Sequence, residues 1–595
     1  VGQFNELTAD IPEQPQVNNF APSQIAAAQN DCDESGSGDT LVSCENQEAT
    51  NVIVFVDQEN DGTTDNAAQT NNATSFQSFD IENDCNESDD GDNNAECEIS
   101  VENIVGFDLE PISQSNFVDS GTSNDATIFQ NNQIDDGAAD IPGINQVITA
   151  DNTCSEIGVG FNDAFCDIEF LDNIIQGVDQ VNIINEADSA TDIFQDNRAT
   201  FSQVIDADND CDETGIGGGN NDAECTIENA VDNFLGVVSQ DNQATGDDNS
   251  LFDQDNNVDV SQNIVANNDC NASGNDADCE IGTGNSPPEV NHIESISQLS
   301  KSELIEDAFS NQLNEVSIDQ NADLINTCDE SGTGLNDAFC RNEEIQNFVG
   351  PINQENAVNG EDSAVISETS NKVNIVQDLQ ATNDCDEADA GLNDAFCDND
   401  ADNSIVSLTQ TNTADGIGID DIDQDNIVSI NQNLQTKNDC DESAGGDNTA
   451  DCQINASNEI GIIEQTNDAV GDGDDVFDQD NILSINQNLV AENDCDEFGL
   501  GNNDATCSIN ISNDIEDLDQ INTDSGTDAT NSLVINQDVQ AKNNCDDSTS
   551  GDNTKICNIN LHLVVPDLTQ TDGEQLTINQ NDVAINTCPG GGTCT

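Results

Sequence analysis

The sequence predicts an all-β, tandem-repeat β-solenoid: stacked short strands with Asn and Gln ladders, closed once per repeat by a disulfide loop. Three observations predict it. Cysteine pairs recur about every 55 residues, a glutamine stands at one fixed distance before every pair, and apolar residues alternate with polar ones between these landmarks.

The cysteines set the repeat. First members fall at Cys32, Cys85, Cys154, Cys211, Cys270, Cys328, Cys385, Cys440, Cys495, Cys545 and Cys588, at intervals of 43 to 69 residues. Their partners are Cys44, Cys97, Cys166, Cys225, Cys279, Cys340, Cys397, Cys452, Cys507, Cys557 and Cys594. Eight of these pairs are 12 residues apart, and the others are 14, 9 and 6. So narrow a spacing predicts one disulfide within each repeat. The spacing divides the chain into an incomplete N-terminal repeat or assembly segment (1–31), ten tandem repeats (32–587) and a short Cys-closed unit (588–595).

The glutamine ruler is stricter. Eight residues before each first cysteine stand Gln24, Gln77, Gln146, Gln203, Gln262, Gln320, Gln377, Gln432, Gln487, Gln537 and Gln580. Eight residues earlier again, seven repeats carry Gln16, Gln69, Gln195, Gln254, Gln312, Gln424 and Gln479, and a further Gln-x-Asn follows many second cysteines, as at Gln465/Asn467. Even spacings place residues on one face of a strand. Asn426, Val428, Ile430 and Gln432 therefore share a face, with Ile427, Ser429 and Asn431 on the other. Each repeat offers about three short strands that cannot bury an apolar stripe alone. Stacking repeat on repeat solves this and pairs the buried amides as ladders, which removes the cost of leaving them unbonded.

Composition bounds the function. The 595 residues include 7 Lys+Arg and 123 Asp+Glu, a formal net charge of -116. Such a chain lacks the basic surface that nucleic acids or anionic membranes require. No apolar run is long enough to span a membrane. Low hydrophobicity with high charge would suggest disorder, but regular cysteine pairs and period-two alternation oppose it. Val1 in place of Met, with no charged-then-apolar leader, reads as a mature chain whose signal segment has been removed.

Twenty-two paired cysteines indicate an oxidising compartment, hence a secreted, extracellular or cell-surface protein. Zinc or haem would need Cys-x2-Cys spacings with histidines, and the two histidines, His292 and His562, stand 270 residues apart. The cysteine loops are rich in hard oxygen ligands. Asp31, Asp33, Asp210, Asp212, Asp384, Asp386, Asp439, Asp441, Asp494, Asp496 and Asp504 are candidate metal ligands, with calcium as the expected structural ion; a solvated acidic turn is the alternative. Nothing recurs in the pattern of a catalytic site, so the chain reads as no enzyme.

Asn-x5-Gln, as at Asn426–Gln432 and Asn481–Gln487, resembles the strand motif of the curlin family of amyloid-like surface fibres. The acidic, Asn-rich, paired-Cys repeats resemble secreted archaeal surface proteins more closely, including the major sheath protein of filamentous methanogens. That resemblance implies a structural subunit of an extracellular filament or sheath; the incomplete first repeat is expected to join head to tail with copies of the chain, and the charge to draw divalent cations. The alternatives are a calcium-dependent adhesin and an acidic surface-layer protein.

Overall fold

A computed structural model describes residues 2–594 apart from the segments 8–15, 33–39, 54–55, 63–67, 90–92, 107–111, 120–126, 135–142, 159–161, 188–191, 216–220, 228–230, 248–250, 273–275, 283–288, 306–308, 332–334, 362–364, 388–391, 417–418, 445–447, 471–475, 500–502, 524–527, 546–553, 565–566, 572–573 and 588–592. The described residues form two parallel β-sheets, with no helix among them, stacked as a β-solenoid.

In each repeat a front strand carries the chain to the cysteine loop, and a return strand brings it back along the opposite sheet. One such turn is Val476–Gly499 followed by Asn503–Ile515 and Asp517–Thr523. Front strands stack residue upon equivalent residue: Gln432 beside Gln487, and Gln487 beside Gln537. Return strands do likewise, Cys452 beside Cys507 and Cys507 beside Cys557.

Some strands are longer than the sequence suggests. Several repeats have the three strands expected, and others have two long ones, with strands such as Ile419–Ala444 of 26 residues and Leu392–Gly416 of 25. The Asn residues within these long strands, such as Asn426 and Asn403, point inward and are bonded there, so nothing stops the strand.

Along Val476–Gly499 the buried set is Gln479, Asn481, Leu483, Ile485, Gln487, Leu489, Ala491, Asn493 and Cys495, every second residue. A one-residue slip would turn this whole set to solvent, which fixes the register. The return strands break alternation at a shared step. Ile405 and Leu408, Ile460 and Ile463, and Ile515 and Leu518 are buried although three residues apart. Two outward residues between them shift the phase as a bulge does. The backbones crowd at this step: a Cβ on Gly461 would lie 2.0 Å from the Val406 carbonyl oxygen. Only glycine fits such an approach.

Between the sheets the inward residues form stripes along the stack. One is built from Val428, Ile430, Ile460, Ile463 and their counterparts, a second from Leu434, Ile454 and Ala456, a third from Cys and Ala. A smaller stripe with Ile422, Ala469 and Phe477 lies at the far turn. Amide columns separate them.

The segment set apart at 1–31 stacks with the repeats. Gly2–Leu7 pairs with Asp57–Gly62, Gln16–Phe20 with Ala68–Ala73, and Ser23–Asp31 with Ser75–Asp89.

Candidate functional site

The interior columns and the outer acidic face hold the candidate residues. The eleven ruler glutamines form one unbroken column. From Gln77 to Gln580 each Nε2 donates to Oε1 of the glutamine before it, ten steps at 2.8–3.0 Å. Gln432 Nε2 also donates to the backbone carbonyls of Asn403 and Glu459 in the facing sheet, at 3.2 and 3.1 Å. Each amide therefore joins layer to layer and sheet to sheet.

A parallel asparagine column runs with opposite polarity. Asn18 donates to Asn71, Asn71 to Asn132, and so on through Asn481 to Asn531. The return sheet carries its own glutamine column from Gln58 to Gln570. Spacing alone misses one rung. Gln130 bonds Gln69 and receives Gln195, although it stands sixteen residues before Gln146. The signal was the 69-residue interval around it and the Gln-x-Asn pair Gln130/Asn132.

The cysteines form a column as well. Pairs lie within the repeat at Cys32–Cys44, Cys85–Cys97, Cys270–Cys279, Cys328–Cys340, Cys385–Cys397, Cys440–Cys452, Cys495–Cys507 and Cys545–Cys557. Between Cys154 and Cys279 the arrangement departs from one disulfide per repeat. Cys166 pairs with Cys211, Cys270 stands within disulfide reach of Cys225 as well as of Cys279, and Cys154 is a buried free thiol. The reason is geometric: layers ~4.8 Å apart place a sulfur of the next repeat about as near as that of its own. Cys588 lies outside the described residues, as does the side chain of Cys594.

Two residues beyond the first cysteine, a glutamate points inward: Glu87, Glu156, Glu213, Glu330 and Glu387 are buried to 1% exposure or less. Ala338 N–H donates to Glu387 Oε1 at 2.7 Å. Burial first, and the neighbouring carboxylates second, push Glu156 up to about 9 and Glu330 up to about 10. Glu387 is pushed to about 8 by burial, against the Ala338 hydrogen bond. The Cys-x-Glu spacing would have revealed this column.

The aspartates flanking the first cysteines point outward and stack. Asp384, Asp439 and Asp494 are one rank, Asp386, Asp441 and Asp496 another, and Asp210 and Asp212 stand at the same register further down. Carboxylate oxygens of Asp441, Asp494 and Asp496 lie within 4.8 Å of one another. Burial and the like charges of Asp439 and Asp386 push Asp441 up to about 7; burial and Asp384 push Asp386 up to about 6. Asp210 likewise rises to about 6, by burial and Asp212. Asp31 stands exposed at the first layer, and Asp33 lies outside the described residues. Asp504 is on the return strand, accepting the Thr554 N–H at 3.1 Å, outside the three-carboxylate cluster.

No family model, curated protein or solved structure matches this chain.

The described geometry is thus that of a repetitive β-stack with sulfur, amide and carboxyl columns inside and carboxylate ranks outside. Among the described residues no helix is long and apolar enough to cross a membrane. His292 sits between Phe234 and Phe348 on the return sheet, at 5.0 and 4.8 Å, and burial lowers it to about 4.

Proposed function

We propose that this chain is the structural subunit of an extracellular filament or sheath, polymerising head to tail by strand stacking. The observation that carries this reading is stacking in register from layer to layer, with one unbroken glutamine column from Gln24 to Gln580. Leu533 and Ile535 are 0% and 1% exposed, whereas their stacked counterparts Leu576 and Ile578 on Glu574–Thr587 are 50% and 37% exposed. That strand has the residue pattern of an interior layer without the cover of one, an open sheet edge of the kind that templates further pairing.

The two faces are complementary in polarity. Gln580 Nε2 is used on Gln537, which leaves its Oε1 as the column's acceptor on that face. On the opposite face Gln24 accepts from Gln77 and directs its Nε2 outward from the column, with one hydrogen bond to the Val52 carbonyl. A second copy in the same orientation continues the column. A contact between unlike faces gives an open filament.

Paired cysteines support an oxidising, extracellular setting. The outer carboxylate ranks support divalent cations, calcium foremost, as structural partners, because stacked like charges need counter-ions. The test is the state of the purified full chain under oxidising conditions with calcium. The expected result is long fibres with a meridional spacing near ~4.7–4.8 Å. A chain that stays monomeric at high concentration overturns the reading and favours the adhesin.

A further inference from the structure

The interior sulfurs do not fall into isolated pairs. The Sγ atoms of Cys85, Cys97 and Cys154 lie within 4.8 Å of one another, as do those of Cys279, Cys328 and Cys340, of Cys397, Cys440 and Cys452, and of Cys507, Cys545 and Cys557. Each group joins a same-repeat pair to a cysteine of an adjacent repeat. Cys270 goes further: it lies between Cys225 of the repeat before and Cys279 of its own, with Cα–Cα distances of 6.0 and 6.2 Å. Both distances are within the span of a disulfide. A sulfur holds one such bond, so the fold accommodates either partner.

We infer that the cysteine column is a thiol–disulfide relay, along which a thiol moves from repeat to repeat by exchange with the next disulfide. The step at Cys154 illustrates it. The Cys154 thiolate attacks Sγ of Cys97, the Cys97–Cys154 bond forms, and the Cys85–Cys97 bond breaks. Cys85 leaves as the thiolate and takes up the proton that Cys154 gave. One disulfide and one thiol enter and leave, so the step consumes no oxidant or reductant. Repetition moves the thiol one repeat at a time while every other bond is kept.

The interior favours this traffic over exchange with solvent. The described cysteines from Cys44 to Cys557 are buried to 1% exposure or less, and Cys32 in the first layer is the partly exposed one. Burial and the nearby carboxylates of Asp210, Asp84 and Glu156 push the Cys154 thiol up, opposed by the Cys97 backbone, so the step is slow near neutrality and quickens in alkali.

The experiment uses the oxidised full chain. One equivalent of a water-soluble phosphine, at about pH 9 to raise the thiolate fraction, delivers two electrons to the accessible Cys32–Cys44 bond. Samples are quenched in acid at successive times, unfolded, alkylated and mapped by mass spectrometry. The relay predicts that label on Cys32 stays constant while its partner label leaves Cys44 and appears on Cys97, the sulfur beside Cys154. The double substitution Cys85→Ala with Cys97→Ala should hold the label at Cys44. Label that remains on Cys32 and Cys44, or that appears as matched pairs within single repeats, overturns the relay. The time course on the unsubstituted chain decides the matter even where the double variant does not fold.

Discussion

A buried glutamine is costly unless its donors and acceptor are all used, and Gln432 uses them. It donates to Gln377, receives Gln487, and bonds the facing backbone. Gln432→Ala removes two rungs and takes the Gln432 donor away from Gln377 Oε1 and from the Asn403 and Glu459 carbonyls in a dry interior. We expect a loss of about 2–4 kcal/mol, from roughly 1–3 kcal/mol per stranded buried group. Gln580→Ala removes one rung on an exposed layer and should cost about 1 kcal/mol or less. Denaturant unfolding of both variants checks the contrast; equal losses would mean that the ladder carries no stability.

The inner glutamates make the opposite kind of residue-scale prediction, in pH. Folding raises Glu330 to about 10 and Glu387 to about 8, so the folded state holds protons that an unfolded chain, with glutamates near ~4.3, has released. Stability from these groups is therefore full below pH ~4.3 and declines as pH rises toward 8 to 10. The thermal midpoint should fall on going from pH 6 to pH 9, and Glu330→Gln should flatten that fall. A midpoint that rises over this range in the unsubstituted chain would contradict the burial.

At the scale of the strand, the sequence was legible where the period is two and blind where phase or spacing shifts. Asn426, Val428, Ile430 and Gln432 are buried together as their spacing requires. The return strands were harder to read, because Ile460 and Ile463 share a face only through the outward pair Gly461 and Ile462. Gln130 escaped the ruler because its repeat is longer, and the glutamates because acidic residues are everywhere in the composition. Pairing of the sulfurs was legible for eight same-repeat disulfides but not for Cys166–Cys211, which depends on the height of one layer over the next. The outward aspartates carry a prediction of this scale. Calcium bound by ranks such as Asp441, Asp494 and Asp496 would stabilise the folded form by mass action. Chelation should lower the thermal midpoint and calcium restore it, while sodium at matched ionic strength should not. Equal rescue by sodium would reduce the effect to screening.

The whole molecule poses the question of what one copy does to the next. The layer containing Glu574–Thr587 has a front strand stacked on Asp528–Asn544. Its described return portion is Thr593–Cys594, beside the start of Thr554–Leu563. The layer containing Gly2–Leu7 has the complementary portion, a far return segment with Gln3 beside Gln58 and Asn5 beside Asn60. In the proposed filament these two strands share one level: the front strand Glu574–Thr587 from one copy and Gly2–Leu7 from the next. Gln580 then lies beneath Gln24, and Gln3 above Gln570, each in the register its column already keeps. Covering Leu576 and Ile578 contributes roughly 1.5–3 kcal/mol for each side chain fully buried, before any amide rung is counted. Removing residues 1–20 deletes Gly2–Leu7 and Gln16–Phe20 while leaving the later layers and their columns intact. The truncated chain should therefore fold, with its protected amides in the interior layers unchanged by hydrogen exchange, yet fail to elongate seeds of the full-length protein. Elongation at the full-length rate would show that the junction lies elsewhere on the molecule.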